Sequence, residues 1–206
     1  ITEPPGVDGS CMYLEVGEIF TVRELLQGLL IHSSNDAAVV LAKYVSGSVE
    51  EFANLMNEEA KKAGALNTHF NNPHGLPDEN HYTTPYDMAM LARKAMSEKT
   101  IREIVNTKSI SFKEKNTPNS KVHFSRYFTN TNLFLTSNDN MNYKGQSVPI
   151  KYDIVDGIKT GYTDDAGRCL LSSAVKNDMR VIAAVFKSNG TNVYVDSRTL
   201  LDYGFE

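Results

Sequence analysis

Asp156-Gly157-Ile158-Lys159-Thr160-Gly161-Tyr162 is the stretch that decides the fold. It reads as a strand presenting a cation, a hydroxyl and a side-chain-free backbone in a row. An ammonium and a hydroxyl suit a carboxylate ligand. The glycine lets a ligand's backbone approach the strand edge. Downstream, Arg168 to Val175 reads as a second strand, Asn177-Asp178 as a turn, and Met179 to Lys187 as a third strand. Val193 to Tyr203 reads as a closing helix. Strands joined by hairpins imply a mostly antiparallel sheet.

Upstream the pattern is helical. Thr21-Val22-Arg23-Glu24 is a capping box ahead of Leu25, Leu26, Leu29 and Leu30, which predicts a helix from Val22 to His32. Asn35 to Tyr44 predicts a second, ended by Gly47. Ser48-Val49-Glu50-Glu51 is another capping box and opens a third helix to Ala63. Thr84 and Pro85 start a fourth, to Met96. A short fifth covers Ile101 to Asn106. Ser109 to Lys113 alternates like a strand, and residues 114–153 read as polar loop. The charges of Glu58-Glu59-Ala60-Lys61-Lys62 make a solvated helix face.

Composition sets bounds on function. The 206 residues suit a single domain, with 41% hydrophobic and 22% charged residues. A chain of this length buries about 70% of its unfolded surface without a disulfide or metal staple. The net charge of −4 gives no footprint for nucleic acid or an anionic membrane. Cys11 and Cys169 read as two separate small hydrophobes. His69, His74 and His81, with Asp78 and Glu79 nearby, have irregular spacing on a loop, so no metal site is assigned.

The second chemical candidate is Ser33-Ser34-Asn35, in the break between two helices. Ser and Asn are excellent caps, so in isolation a structural role explains them. A hydroxyl for proton transfer beside a substrate-holding amide is the functional alternative.

Taken together, the two candidates resemble a known pattern. S-x-x-K, S-x-N and K-T-G mark penicillin-binding proteins and serine β-lactamases. Leu29 to Ala38 resembles the S-x-N-D-A helix break of serine-type D-alanyl-D-alanine carboxypeptidases, and Asp156 to Tyr162 their D-G-I-K-T-G strand. Gly167-Arg168-Cys169-Leu170, His74-Gly75-Leu76, Thr83 to Ala89 and Asn130-Thr131-Asn132 extend the resemblance across the chain. It implies a β-lactamase/transpeptidase-like α+β fold, a mostly antiparallel sheet flanked by helices plus an all-α lobe. It also implies an extracytoplasmic enzyme without cofactor. Its partners would be peptidoglycan stem peptides ending in D-Ala-D-Ala, and β-lactams, with no nucleic acid.

The resemblance assigns roles to individual residues. Ser33 relays a proton to the departing D-alanine. Asn35 holds the substrate amide. Lys159 keeps a positive field over Ser33 and the terminal carboxylate. Thr160 donates to that carboxylate, Gly161 gives the substrate room along the edge, and the Tyr162 N–H forms half of an oxyanion hole. Several relatives carry an arginine where Thr131 stands. Tyr143, Tyr152 and Tyr162 are candidates to flank the cleft, though Tyr143 and Tyr152 are equally at home on a loop; His32 could line it but reads first as a surface or cap residue.

The nucleophile motif S-x-x-K is the departure. Its one literal match, Ser173-Ala174-Val175-Lys176, falls on a strand, where an odd separation sends side chains to opposite faces. The expectation is a single catalytic domain over residues 1–206. It would begin after the family's S-x-x-K segment and end where the family adds a β-rich domain and a membrane-associating tail, and would be inactive alone. A serine β-lactamase of the same fold and a non-catalytic peptidoglycan-binding module are the alternatives.

Overall fold

A computed structural model describes residues 1–113 and 125–206 of the chain. Helix α1 (Val22–Gln27) opens on the expected capping box. The Thr21 hydroxyl accepts from the Glu24 N–H at 3.2 Å, and the Glu24 carboxylate accepts from the Thr21 N–H at 2.8 Å. The continuous helix expected to His32 is corrected: Gly28–His32 winds as a π-turn. Helix α2 (Asn35–Ser46) stops at Gly47, whose φ of 84° only glycine adopts without penalty. Ser48 caps α3 (Val49–Lys62) by accepting from the Glu51 N–H at 3.0 Å. Thr84 caps α4 (Pro85–Ala95) by accepting from the Asp87 N–H at 3.1 Å. Helix α5 (Lys99–Val105) follows.

The polar stretch read as loop holds more structure than its composition suggests. Strand β1 (Ser109–Phe112) pairs antiparallel with β2 (Arg126–Thr129). A single turn, α6 (Leu133–Thr136), leads into the hairpin of β3 (Asn140–Tyr143) and β4 (Gln146–Pro149). Strand β1 falls where Ser109 to Lys113 alternates, whereas β2, α6, β3 and β4, four residues each, are too short to show a period in the sequence. Residues 114–124, part of the same stretch, lie outside the described residues.

Strands β5 (Val155–Thr163), β6 (Gly167–Lys176) and β7 (Met179–Ser188) form an antiparallel sheet in that order. Asn177 and Asp178 join β6 to β7 with φ of 50° and 61°, the left-handed pair that a tight two-residue hairpin requires. Helix α7 (Asn192–Gly204) packs on β6 and β7, while α4 and α5 pack on β7 and β5. Neighbouring residues go to different cores. Leu170 and Ala183 join Phe134, Val193 and Leu201. Leu171 and Ile182 join Met96, Val105 and Ile158. Alternation along a strand therefore places α7 on one face and α4 with α5 on the other. A third core, with Met12, Leu14, Leu25, Ala37, Leu41 and Phe112, lies under α1 and α2.

One buried ion pair ties this third core to the β1–β2 ribbon. The Arg126 guanidinium meets both oxygens of Glu18, at 2.8 and 2.9 Å, and the two residues are 3% and 0% exposed. The guanidinium also donates to the carbonyls of Met12 at 2.7 Å and Tyr13 at 2.9 Å. Such a pair tolerates loss of both partners better than loss of one. Arg126→Met is expected to destabilise the chain by about 3–5 kcal/mol, because Glu18 is left buried and uncompensated. Urea unfolding reads this as a lower midpoint, partly recovered when Glu18→Leu is added. A single variant that unfolds at the original midpoint would show the clamp to be dispensable.

Candidate functional site

The Ser33–Asn35 turn is built by backbone geometry. The Gly28 carbonyl accepts from the N–H of Ser33 and, at 3.2 Å, from that of Ser34. Ser33 sits between them in the left-handed region, with φ 67° and ψ 39°. That conformation costs a non-glycine residue about 1–2 kcal/mol. Asp36 supplies the counterweight. Its buried carboxylate accepts from the N–H groups of Met12 and Leu14, each at 3.0 Å, and of Ala37 at 2.9 Å. Asn35 is 7% exposed. Its side-chain amide donates to the Asp8 carbonyl, and its own N–H to the Ser10 carbonyl, both at 2.7 Å. Gly9, between them, has φ 91° and no room for a side chain, since a Cβ there would stand 2.7 Å from the Asn35 amide nitrogen.

Strand β5 is an outer strand of its sheet, so its free edge carries the Lys-Thr-Gly residues. The Lys159 ammonium donates to the Thr160 carbonyl at 2.7 Å. Burial pushes Lys159 down to about 8. Gly161 lies opposite Cys169 in the register. The exposed Tyr162 donates its hydroxyl to Asp164 at 2.8 Å, and the Arg168 guanidinium lies 4.7 Å from its ring centre.

Thr131 joins the two halves. Its N–H donates to the Ile31 carbonyl at 3.2 Å, and its hydroxyl lies 2.6 Å from that of Thr160. The flanking asparagines hold it in place. The Asn130 amide donates to the carbonyls of Val105 at 3.1 Å and Thr107 at 2.9 Å, and its oxygen accepts from the Asn132 N–H at 2.9 Å. Asn132 in turn caps α6 by accepting from the Phe134 N–H at 3.1 Å. The sequence signal for this hinge is the Asn-Thr-Asn run itself.

His32 closes the π-turn and is partly exposed. Its half-buried ring stacks on Phe128, with 4.1 Å between centres. Burial pushes its affinity for a proton down; Asp36 opposes this, and Lys159 adds to the push. Tyr143 and Tyr152 do not offer their hydroxyls to a cleft: both donate to Asp202 on α7, at 2.7 and 2.6 Å, around the Arg198 guanidinium. Ser173 is buried in β6 and hydrogen-bonded to Arg180. His69, His74 and His81 each take part in backbone hydrogen bonds of the 69–82 loop. Among the described residues no three His, Cys, Asp or Glu side chains gather into a metal-binding group. Cys11 and Cys169 are both free thiols.

A serine-asparagine helix break tied to a Lys-Thr-Gly edge strand, in a sheet covered by helices on both faces, defines the β-lactamase/transpeptidase-like class. Solved structures agree. The crystal structure of the Streptomyces K15 DD-transpeptidase superposes with a TM-score of 0.82 at 31% identity, over 96% of this chain and 72% of that one. The D-alanyl-D-alanine carboxypeptidase DacD from Francisella tularensis gives 0.77 at 30% identity, over 98% and 56%. The chain belongs to the D-alanyl-D-alanine carboxypeptidase family, whose model matches residues 3–190. It is 41% identical over 178 residues to D-alanyl-D-alanine carboxypeptidase DacF of Bacillus subtilis, covering 86% of this chain and 41% of that protein. It is 37% identical over 206 residues to DacC of Escherichia coli, covering 99% and 46%. The chain thus spans less than half the length of these two curated relatives.

The half-buried lysine makes a direct test of the site. Its folded pKa, about 8, lies below the ordinary value of 10.5. The desolvation penalty is therefore fully present below pH 8 and fades as pH rises toward the ordinary lysine range, so this group makes the fold more stable with rising pH there. The 13Cε resonance of Lys159 is expected to titrate near 8. A midpoint in the ordinary lysine range would refute burial of the ammonium.

Proposed function

We propose that these 206 residues are most of the catalytic domain of a peptidoglycan D-Ala-D-Ala carboxypeptidase working on the cell-wall side of the cytoplasmic membrane. The observation that carries the reading is the hydrogen-bonded bridge from Ile31 through Thr131 to Thr160. It holds the Ser33–Asn35 turn against the Lys-Thr-Gly edge. Family membership supports the same reaction class.

In this reading a serine from an S-x-x-K helix attacks the carbonyl of the penultimate D-alanine. The peptide bond breaks, D-alanine leaves with a proton delivered through Ser33, and water later hydrolyses the ester. Asn35 orients the substrate amide. The half-buried Lys159 supplies the positive charge that a terminal carboxylate seeks, and Thr160 supplies a hydroxyl donor. The Tyr162 N–H, on the free strand edge beside Gly161, serves the developing oxyanion. β-Lactams, which mimic the substrate terminus, acylate the same serine. Among the described residues no helix is long and apolar enough to cross a bilayer.

The 206 residues supply no S-x-x-K on a helix, so by themselves they form no acyl-enzyme in this reading. Intact-mass spectrometry with benzylpenicillin is expected to show no adduct on this chain. A stoichiometric adduct is expected on a longer polypeptide that provides the motif. In that polypeptide Ser33→Ala should slow D-alanine release by about 10²–10⁴-fold, the usual effect of losing a positioned proton-transfer group. An adduct on the 206-residue chain, or an undiminished rate in the variant, would overturn the assignment.

A further inference from the structure

Asp8-Gly9-Ser10 belongs to no helix or strand, yet it grips the serine-asparagine turn on both sides of Ser33. The Ser10 hydroxyl donates to the His32 carbonyl at 3.1 Å, just before Ser33. Just after it, the Ser10 carbonyl accepts from the Asn35 N–H and the Asp8 carbonyl from the Asn35 side-chain amide, both at 2.7 Å. We propose that residues 8–10 are a positioning strap that fixes the Asn35 side chain in one orientation, with Gly9 a positioning residue for acyl transfer. The inference rests on the reading of Ser33 and Asn35 as residues of the acyl-transfer site.

The strap acts through the two-ended chemistry of the amide. An asparagine side chain carries an oxygen that accepts and a nitrogen with two donor hydrogens. Half a turn of the side chain exchanges the two ends. A backbone carbonyl only accepts. Asp8 therefore admits the nitrogen and rejects the oxygen, because two carbonyl oxygens would face each other with no proton between them. One Nδ2 hydrogen is engaged by the strap. The other hydrogen and Oδ1 remain, and among the described residues nothing donates to that oxygen. Held this way, Asn35 can donate to a substrate carbonyl and accept from an N–H or an ammonium at the same time.

Gly9 lets the strap come this close. Its φ of 91° suits glycine, and a Cβ there would stand 2.7 Å from the Asn35 amide nitrogen. A side chain at position 9 has to displace that nitrogen or pull Asp8 away from it. Gly6 provides the matched control. Its φ is 65°, but a Cβ there would meet nothing closer than the Pro4 carbonyl at 4.0 Å. Gly6→Ala and Gly9→Ala bear the same kind of backbone strain, and only Gly9→Ala touches Asn35. A purely structural glycine would lose stability in both variants and rate in neither.

The test compares benzylpenicillin acylation of Gly9→Ala, Gly6→Ala, Asn35→Ala and Gly9→Ala combined with Asn35→Ala, in the longer polypeptide that provides S-x-x-K. Gly9→Ala is expected to acylate about 10²-fold more slowly, the scale set by misplacing a positioned group by roughly 1 Å. Gly6→Ala is expected to keep the original rate. Asn35→Ala removes the atom that the new Cβ would strike, so adding Gly9→Ala to it should cause no further loss, as for two residues acting through one contact. In the 206-residue protein, NMR should show the Asn35 Nδ2 proton bonded to Asp8 shifted downfield of its partner. Should Gly9→Ala alone fail to fold, its combination with Asn35→Ala, which has room for the Cβ, is expected to fold. Failure there as well, Gly9→Ala acylating as fast as Gly6→Ala, a full further loss in the combination, or no downfield Asn35 proton would each overturn the strap. An undiminished rate in Asn35→Ala would remove the site reading and the strap together.

Discussion

Everything around the serine-asparagine turn depends on how the backbone of Met12, Tyr13 and Leu14 is held. Two buried charged groups grip it from opposite sides. Asp36 accepts its N–H groups, and Arg126 donates to its carbonyls while paired with Glu18. A buried charge is tolerable only when it is paired and its hydrogen-bonding capacity is used. Here that requirement positions the chain: Asp36 on α2 and Arg126 on β2 both hydrogen-bond the backbone of residues 12–14. Asp36 directly follows Asn35, so the clamp and the candidate site share one turn of helix.

The same coupling explains how Ser33 tolerates a left-handed backbone. The conformation is unfavourable by about 1–2 kcal/mol. Three hydrogen bonds to the Asp36 carboxylate, with roughly 1.5–3 kcal/mol typical of a bond to a charged group, more than offset it. The π-turn before Ser33 leaves the Gly28 carbonyl free to accept two N–H groups in place of a regular helical one. A single buried carboxylate thus stabilises both the fold of the N-terminal core and the geometry of the turn.

What could be read from the sequence was local. Capping residues stand within three or four positions of the groups they satisfy, so Thr21, Ser48 and Thr84 located helix starts. The Asn177-Asp178 turn was readable for the same reason: two adjacent residues tolerate the left-handed region. The interactions that organise the site are distant in sequence. Arg126 and Glu18 are 108 positions apart, and Thr131 and Thr160 are 29 apart. No periodicity links such partners. Tyr152 shows how a plausible functional reading fails: polar aromatic residues in a loop-rich stretch resemble cleft residues. Here burial and the Asp202 carboxylate push its hydroxyl up to about 12, as part of an anchor for α7.

Charge and direction come from different groups at the K-T-G edge. Burial disfavours the cationic form of Lys159, and no carboxylate of the described residues forms an ion pair with it. A carboxylate ligand would restore a partner to that cation, raising its affinity for a proton as it binds, so anion binding and lysine protonation are linked with the same sign. An ammonium is a compact point charge and imposes little angular preference. Hydroxyls fixed on two separate backbone segments do impose one. In the proposed reading, a half-buried cation for attraction and neutral donors for orientation would let the edge recognise an anionic terminus without a second buried charge. In an interior that already accommodates Arg126 and Asp36, a further cation would have to be desolvated and paired in its turn.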